Sequence, residues 1–332
     1  MLTVTLFTRK DCHLCEQAKA DLQSLQAEIP HQLVEIDIES DPSLLKTYLF
    51  EIPVVEAGPY RLKAPFGLPE LRMTLGAARD RRGHLEQLSD PDYRRRTSQA
   101  QTMSGADRLS FWISRHYLWL VFLLFFLYAG LPILAPALMK ANLQLPARVI
   151  YTVYSPLCHQ LGFRSLYLFG PQYFYPRAAA GVDDLVSFEQ ATGVSENDLL
   201  AARSYLGSEE VGYKTALCAR DVAIYWAIVL FIVIYGLTGR RIKPLHWMLW
   251  LLLGIVPVGL DGFSQLFSQI GIPGLNEIIP YRESTPFLRV FTGLLFGFMT
   301  AWFGLPYVEE SMQETRQLLV KKVRVIEQTS RK

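Results

Sequence analysis

Hydrophobic and polar positions divide the 332-residue chain at about residue 110. Before that point, apolar residues come in short alternating runs and helical stripes. After it, they come in blocks long enough to cross a bilayer. "LTVTLFT" (Leu2–Thr8) alternates and is rich in β-formers, which predicts a strand. In "DCHLCEQAKADLQSLQ", Leu14, Ala18, Leu22 and Leu25 recur at helical spacing, with Asp11 placed to cap the helix. "HQLVEIDI" (His31–Ile38) reads as a second strand, and "DPSLLKTYLF" (Asp41–Phe50) as a helix opened by Asp-Pro. "PVVEAG" and "YRLKAP" suggest a hairpin, and "GLPELRMTL" (Gly67–Leu75) a last helix. The expected order over residues 1–80 is βαβαββα.

Residues 81–110 are polar and basic and read as a linker. The membrane domain is expected over residues 111–308, with four stretches suited to a bilayer of about 30 Å: Tyr117–Leu138, Val222–Gly239, Pro244–Phe267 and Phe287–Val308. Residues 139–217 then form a long loop. Within it, "VIYTVYSPL" (Val149–Leu157) is apolar but too short to span, and "SENDLLAARSYL", opening at Ser195, reads as a short surface helix. Residues 309–332 are expected to be a charged, helical, solvated C-terminal tail. The fold class is therefore an α/β soluble domain joined to an all-α polytopic membrane domain of about four transmembrane helices.

Charge sets sidedness more than partners. The net charge is only +2, which excludes nucleic-acid binding driven by overall charge. Arg94–Arg96, Arg108 and Arg115 precede the first span. Arg240, Arg241 and Lys243 fill the turn between the second and third, and Lys321, Lys322 and Arg324 follow the fourth. With four spans all three clusters fall on one side, which the positive-inside rule makes cytoplasmic. No secretory leader is visible at the N-terminus. The expectation is a multi-pass cell-membrane protein, in contact with lipid, with N- and C-termini in the cytoplasm.

Four cysteines are present: Cys12, Cys15, Cys158 and Cys218. Cys12 and Cys15 form a C-x-x-C at a predicted helix start, where free backbone N–H groups and the helix dipole favour thiolate over thiol. One turn on, Cys15 is placed to resolve a mixed disulfide formed by Cys12. A lone pair supplies only half a zinc ligand set, so redox chemistry is the better reading.

With "CHLC" after the first strand and "IPVV" (Ile52–Val55) opening the third, residues 1–80 resemble the glutaredoxin and thioredoxin superfamily. That resemblance implies a thioredoxin-like fold and thiol–disulfide oxidoreductase activity, with Cys12 attacking, Cys15 resolving and Pro53 as a cis proline facing the dithiol. The implied partner is a disulfide protein or a low-molecular-weight thiol. The glutathione-holding Gly-Gly-x-Asp type turn of glutaredoxins is replaced here by "APFGLPEL".

Polar residues also gather where the predicted spans meet one leaflet. Cys218, Arg220 and Asp221 open the second span, Asp261 and Gln265 close the third, and Glu283 and Arg289 flank the start of the fourth. The long loop adds Cys158, His159, Gln160, Arg164 and Ser165. Cys218, Asp221 and Tyr225 share a helix face, as do Asp261 and Gln265. "GLLFG" (Gly293–Gly297) would let the fourth helix pack closely. Arg220, Arg289 and Arg164 can pair with Asp221, Asp261 and Glu283.

"CHQLGFRS", "GYKTALCARDVAIY", "GLDGFSQ" and "ESTPFLRVFTG" give residues from about 145 to 300 a resemblance to a family of small polytopic membrane proteins, the domain of unknown function 2085. It implies that the four motifs belong to one unit. Several readings stay open for the cluster. Cys158, His159 and Cys218, with Asp221 or Asp261, would suit a divalent metal, the one cofactor the sequence suggests. Cys158 and Cys218 could instead form a disulfide. The arginines could hold an anion, or the groups could form a salt-bridged plug. The two functional alternatives are a membrane-tethered oxidoreductase and a metal- or ligand-binding, even transporting, membrane protein regulated by a redox domain.

Overall fold

The computed structural model describes residues 2–88, 102–270 and 281–330. These fall into two compact units, Met1–His116 with Glu310–Lys332, and Tyr117–Glu309.

In the first unit the order is β1 (Leu2–Thr8), α1 (His13–Ser24), β2 (His31–Asp37), α2 (Pro42–Tyr48), β3 (Val54–Ala57), β4 (Tyr60–Lys63) and α3 (Leu68–Gln87). The sheet runs β2-β1-β3-β4. β1 and β2 are parallel, and β3 pairs antiparallel with both β1 and β4. Alternation in β1 sends Leu2, Val4 and Leu6 to one face, where they meet Leu22 of α1 and Leu71 and Leu75 of α3. Phe7 faces the other way and joins Val34, Ile36, Leu44, Tyr48 and Val54.

That second face has a cover the sequence did not announce. The last helix of the chain, α10 (Pro286–Ser330), ends against it, with Val320 and Val325 packed on the Phe7 cluster. Lys321 Nζ bonds the buried carboxylate of Glu56, and Gln317 and Gln328 reach the backbone carbonyls of Ser43 and Glu35 at 3.1 and 3.0 Å. The expected solvated tail is therefore a packed helix. Its apolar stripe and the uncovered sheet face lie nearly 300 residues apart in sequence, so the pairing is invisible locally.

Two local expectations shift. Cys12, not Asp11, caps α1, because Asp11 takes a left-handed turn (φ 56°) that swings it out of the cap position. α3 runs three turns beyond Leu75, so the expected linker is helical through Gln87 and again from Gly105. Arg94, Arg95 and Arg96 lie outside the described residues.

Among the described residues, four helices are long and apolar enough to cross a membrane: α4 (Gly105–Lys140), α8 (Ala219–Leu237), α9 (Trp247–Gln269) and α10. Large apolar side chains stand exposed along them, among them Trp119, Leu123, Leu124, Leu252, Leu260 and Phe263, as a lipid-facing surface requires. α9 contains a π-helical turn at Trp250–Ile255. It lies just ahead of Pro257, whose ring nitrogen cannot donate back to the preceding turn.

Between the first and second spans the chain is not a bare loop. α5 (Gln144–Tyr154) has 11 residues, a length of about 17 Å that cannot cross the bilayer. It is followed by β5 (Ser165–Leu168), the short helices α6 (Phe188–Thr192) and α7 (Leu199–Ser204), β6 (Gly207–Ser208) and β7 (Gly212–Cys218). β5, β7 and β6 form an antiparallel sheet, so a small β element interrupts the expected all-α region. α7 falls inside the predicted surface helix but begins at Leu199, capped by Asp198 rather than Ser195.

Candidate functional sites

The dithiol sits where β1 hands over to α1. Cys12 and Cys15 are joined in a disulfide. Cys12 occupies the helix N-cap, and its sulfur accepts the Cys15 amide at 3.3 Å. Cys12 is half-exposed whereas Cys15 is 2% exposed, so solvent reaches the first residue and not the second. The Ile52–Pro53 peptide is cis, and Pro53 is buried at the entry to β3.

In the second unit, Cys218 ends β7 and caps α8, and Arg220 and Asp221 lie in the first turn of that helix. The close approach expected of "GLLFG" is present. A Cβ on Gly293 would lie 2.6 Å from the Arg220 carbonyl, and one on Gly297 would collide with the Ile224 carbonyl. Backbone therefore touches backbone between α8 and α10, bringing the start of α8 beside the start of α10.

Two ionic knots result. Glu283 takes a two-pronged bond from Arg164 (2.9 and 3.1 Å) and another from Arg289 at 2.6 Å. Gln265 and Gln269 donate to the same carboxylate at 2.9 and 3.1 Å, and Gln265 also accepts from Arg289 at 2.9 Å. Around Asp261 gather Arg220, Arg282 at 2.7 Å and the Ser284 hydroxyl at 2.6 Å. Six of the expected residues (Arg164, Arg220, Asp261, Gln265, Glu283 and Arg289) are thus spent on one another, leaving four guanidinium groups against two carboxylates.

The sulfur-bearing group is separate in chemistry. Single ligand atoms of Cys158, Cys218 and Asp221 all lie within 4.8 Å of one another. The Cys218 amide donates to the Cys158 sulfur at 3.3 Å. A bond from the Cys218 thiol lowers the Cys158 pKa, and donating that bond, together with burial, raises that of Cys218. Two members of the expected metal set fall away. His159 is exposed, because adjacent side chains diverge and its neighbour Gln160 takes a left-handed turn (φ 51°) that buries its own amide on the Tyr151 and Ala216 carbonyls. Asp261 is bound by its arginines. The expected Asp221–arginine pairing is also absent among the described residues.

Sequence reasoning passed over three groups. Lys214 is fully buried, its Nζ held 2.6 Å from each of the Gln160 and Arg203 carbonyls, and burial pushes its pKa down to about 7. It lies inside "GYKTALCARD", and alternation does not single it out, because Thr215, Ala216 and Leu217 beside it are buried as well. Arg282 stood unnoticed beside Glu283. Glu309 forms a further buried knot, accepting from Tyr117 at 2.6 Å and Arg240 at 3.2 Å.

Two family models match separate parts of the chain. Residues 3–75 match the family model described as a glutaredoxin-like domain (DUF836), and residues 210–303 the model described as a predicted membrane protein (DUF2085). The chain carries a glutaredoxin-like domain and a DUF2085 membrane domain. An uncharacterized protein of Methanocaldococcus jannaschii is 26% identical over 160 residues, which are 47% of this chain and 67% of that protein. A structural-genomics target from X. campestris, XcR50, is 36% identical and covers 22% of this chain and 96% of its own, with a TM-score of 0.20. Cys12, Cys15 and Pro53 fall within the glutaredoxin-like match. Cys218, Asp221 and the two knot carboxylates, Asp261 and Glu283, fall within the DUF2085 match, whereas Cys158, His159 and Arg164 precede it.

Proposed function

We propose that this protein is a membrane-tethered thiol–disulfide oxidoreductase whose glutaredoxin-like domain works on the cytoplasmic side. The observation that carries the reading is the asymmetry of the dithiol, with a half-exposed Cys12 on a helix N-cap and a buried Cys15 one turn behind it. In the reduced protein, the Cys12 thiolate attacks one sulfur of a substrate disulfide and expels the other as a thiolate. Cys15 then attacks Cys12, releases the reduced substrate and forms the Cys12–Cys15 disulfide. A low-molecular-weight thiol or a dithiol protein returns the two electrons. Cytoplasmic placement rests on the basic residues Arg108, Arg115, Arg240, Arg241, Lys243, Lys321, Lys322 and Arg324 at the corresponding helix ends.

Two measurements test this. Full-length protein in detergent should reduce a disulfide-bonded peptide, with Cys15→Ser trapped as a mixed disulfide and Cys12→Ser inactive. Reduction by Cys12→Ser at the wild-type rate would refute the mechanism. For sidedness, cysteines introduced singly as Ser24→Cys and Ser195→Cys in a cysteine-free protein are exposed to an impermeant maleimide on intact cells. Labelling of the second and not the first is expected, and the reverse would place the dithiol outside.

A further inference from the structure

We propose that Cys158, Cys218 and Asp221 bind one divalent transition-metal ion of the zinc class, in a site with three protein ligands and one open position. The residues come from three elements: the turn after α5, the end of β7 and the first turn of α8. Only folding brings them together, and it brings one ligand atom from each within 4.8 Å of the others.

The charge pattern around them points to a cation. Asp261 and Glu283 are each held by two arginines. Asp221 is half-buried beside two thiols, yet its carboxylate has no hydrogen bond or ion pair among the described residues. The adjacent Arg220 is turned toward Asp261 instead. A partly buried carboxylate at the edge of a bilayer normally has a counter-charge. No side-chain cation among the described residues fills that role, while two sulfurs converge on the same point.

The donor set selects the metal. Two thiolates disfavour magnesium and calcium, which prefer all-oxygen shells, and suit zinc and its neighbours. Tetrahedral zinc with Zn–S bonds of about 2.3 Å sets its sulfurs about 3.8 Å apart, so a modest side-chain rotation closes the present spacing. The Cys218 amide bond to the Cys158 sulfur already orients one ligand. Binding releases the two thiol protons to solvent, and the carboxylate binds as it stands. Three protein ligands with a vacant fourth position is the pattern of zinc sites that take a water or substrate. A Cys158–Cys218 disulfide would use the same sulfurs but would have no need of Asp221.

The test uses the full-length chain in detergent with Cys12→Ser and Cys15→Ser, so that the N-terminal dithiol contributes no ligand. The reduced, chelator-stripped protein is titrated with Zn²⁺ and, separately, with Co²⁺. We expect about one Zn²⁺ per chain, loss of binding in Cys158→Ser and Cys218→Ser, and affinity at least about tenfold weaker in the isosteric Asp221→Asn. The parent protein should also show a near-ultraviolet thiolate-to-cobalt charge-transfer band. That band is read on unaltered ligands, so the test survives misfolding of a cysteine variant. Lack of Zn²⁺ uptake, unchanged binding in Cys158→Ser or Asp221→Asn, or a Cys158–Cys218 disulfide in protein isolated without reductant would each overturn the site.

Discussion

Nη2 of Arg289 and Oε1 of Glu283 lie 2.6 Å apart, with side chains only 6% and 2% exposed. Arg164 approaches the same carboxylate from the segment after α5, so one acid ties that segment to α10. Replacing it strands two guanidinium groups. Glu283→Gln should destabilise the membrane domain by roughly 3–5 kcal/mol, because a buried charge left without its partner keeps its desolvation cost. Thermal unfolding of the purified protein in detergent reads this out. An unchanged midpoint would show that solvent reaches the knot.

Glycines of the last helix divide sharply in what they allow. Gly297 leaves no room for a Cβ against the Ile224 carbonyl, whereas Gly304 has open space around its Cβ position. Gly297→Ala should cost about 1–3 kcal/mol by forcing α8 and α10 apart. Gly304→Ala should be neutral or stabilise by up to about 1 kcal/mol. Equal melting curves for the two variants would refute the close backbone contact.

Docking of the C-terminal helix on the glutaredoxin-like domain should depend on acid. Burial raises the Glu56 pKa, but bonds and charge from Lys321 and Arg61 outweigh it and hold the group below its ordinary 4.5. A carboxyl with a lowered folded pKa stabilises fully above its unfolded value and loses that contribution as pH falls through the folded one. Protection from hydrogen exchange in residues 312–328, taken relative to the intrinsic rate at each pH, should therefore fall below about pH 4.5 in the wild type. Lys321→Met should raise exchange already at neutral pH and flatten the acid dependence. A helix equally protected in both proteins would mean that this ion pair is incidental.

Lys214 predicts a trend at the opposite end of the scale. Its pKa falls from 10.5 to about 7 on burial, so between those values the unfolded chain holds a proton that the folded one does not. Stability of the membrane domain should accordingly rise between pH 7 and 10.5, by up to several kcal/mol. Lys214→Met removes the group and should flatten that rise. A wild-type profile falling over the same window would contradict a buried, neutralising lysine.

Periodicity alone decided much of this protein. Alternation in Leu2–Thr8 and the helical spacing after Cys12 are local signals, and each gave the expected strand or helix, although Leu14 of the expected stripe is exposed and Cys15 takes its place on the buried face. The long apolar runs fixed four candidate spans, because hydrocarbon thickness leaves helices little freedom in length. What no local pattern could decide was partnership. Which arginines Glu283 holds, that Asp221 has no ionic partner among the described residues, that His159 turns outward, and that residues 310–330 cover the Phe7 face all depend on segments tens to hundreds of residues apart. Side-chain direction and burial come from packing in three dimensions, and sequence spacing records neither.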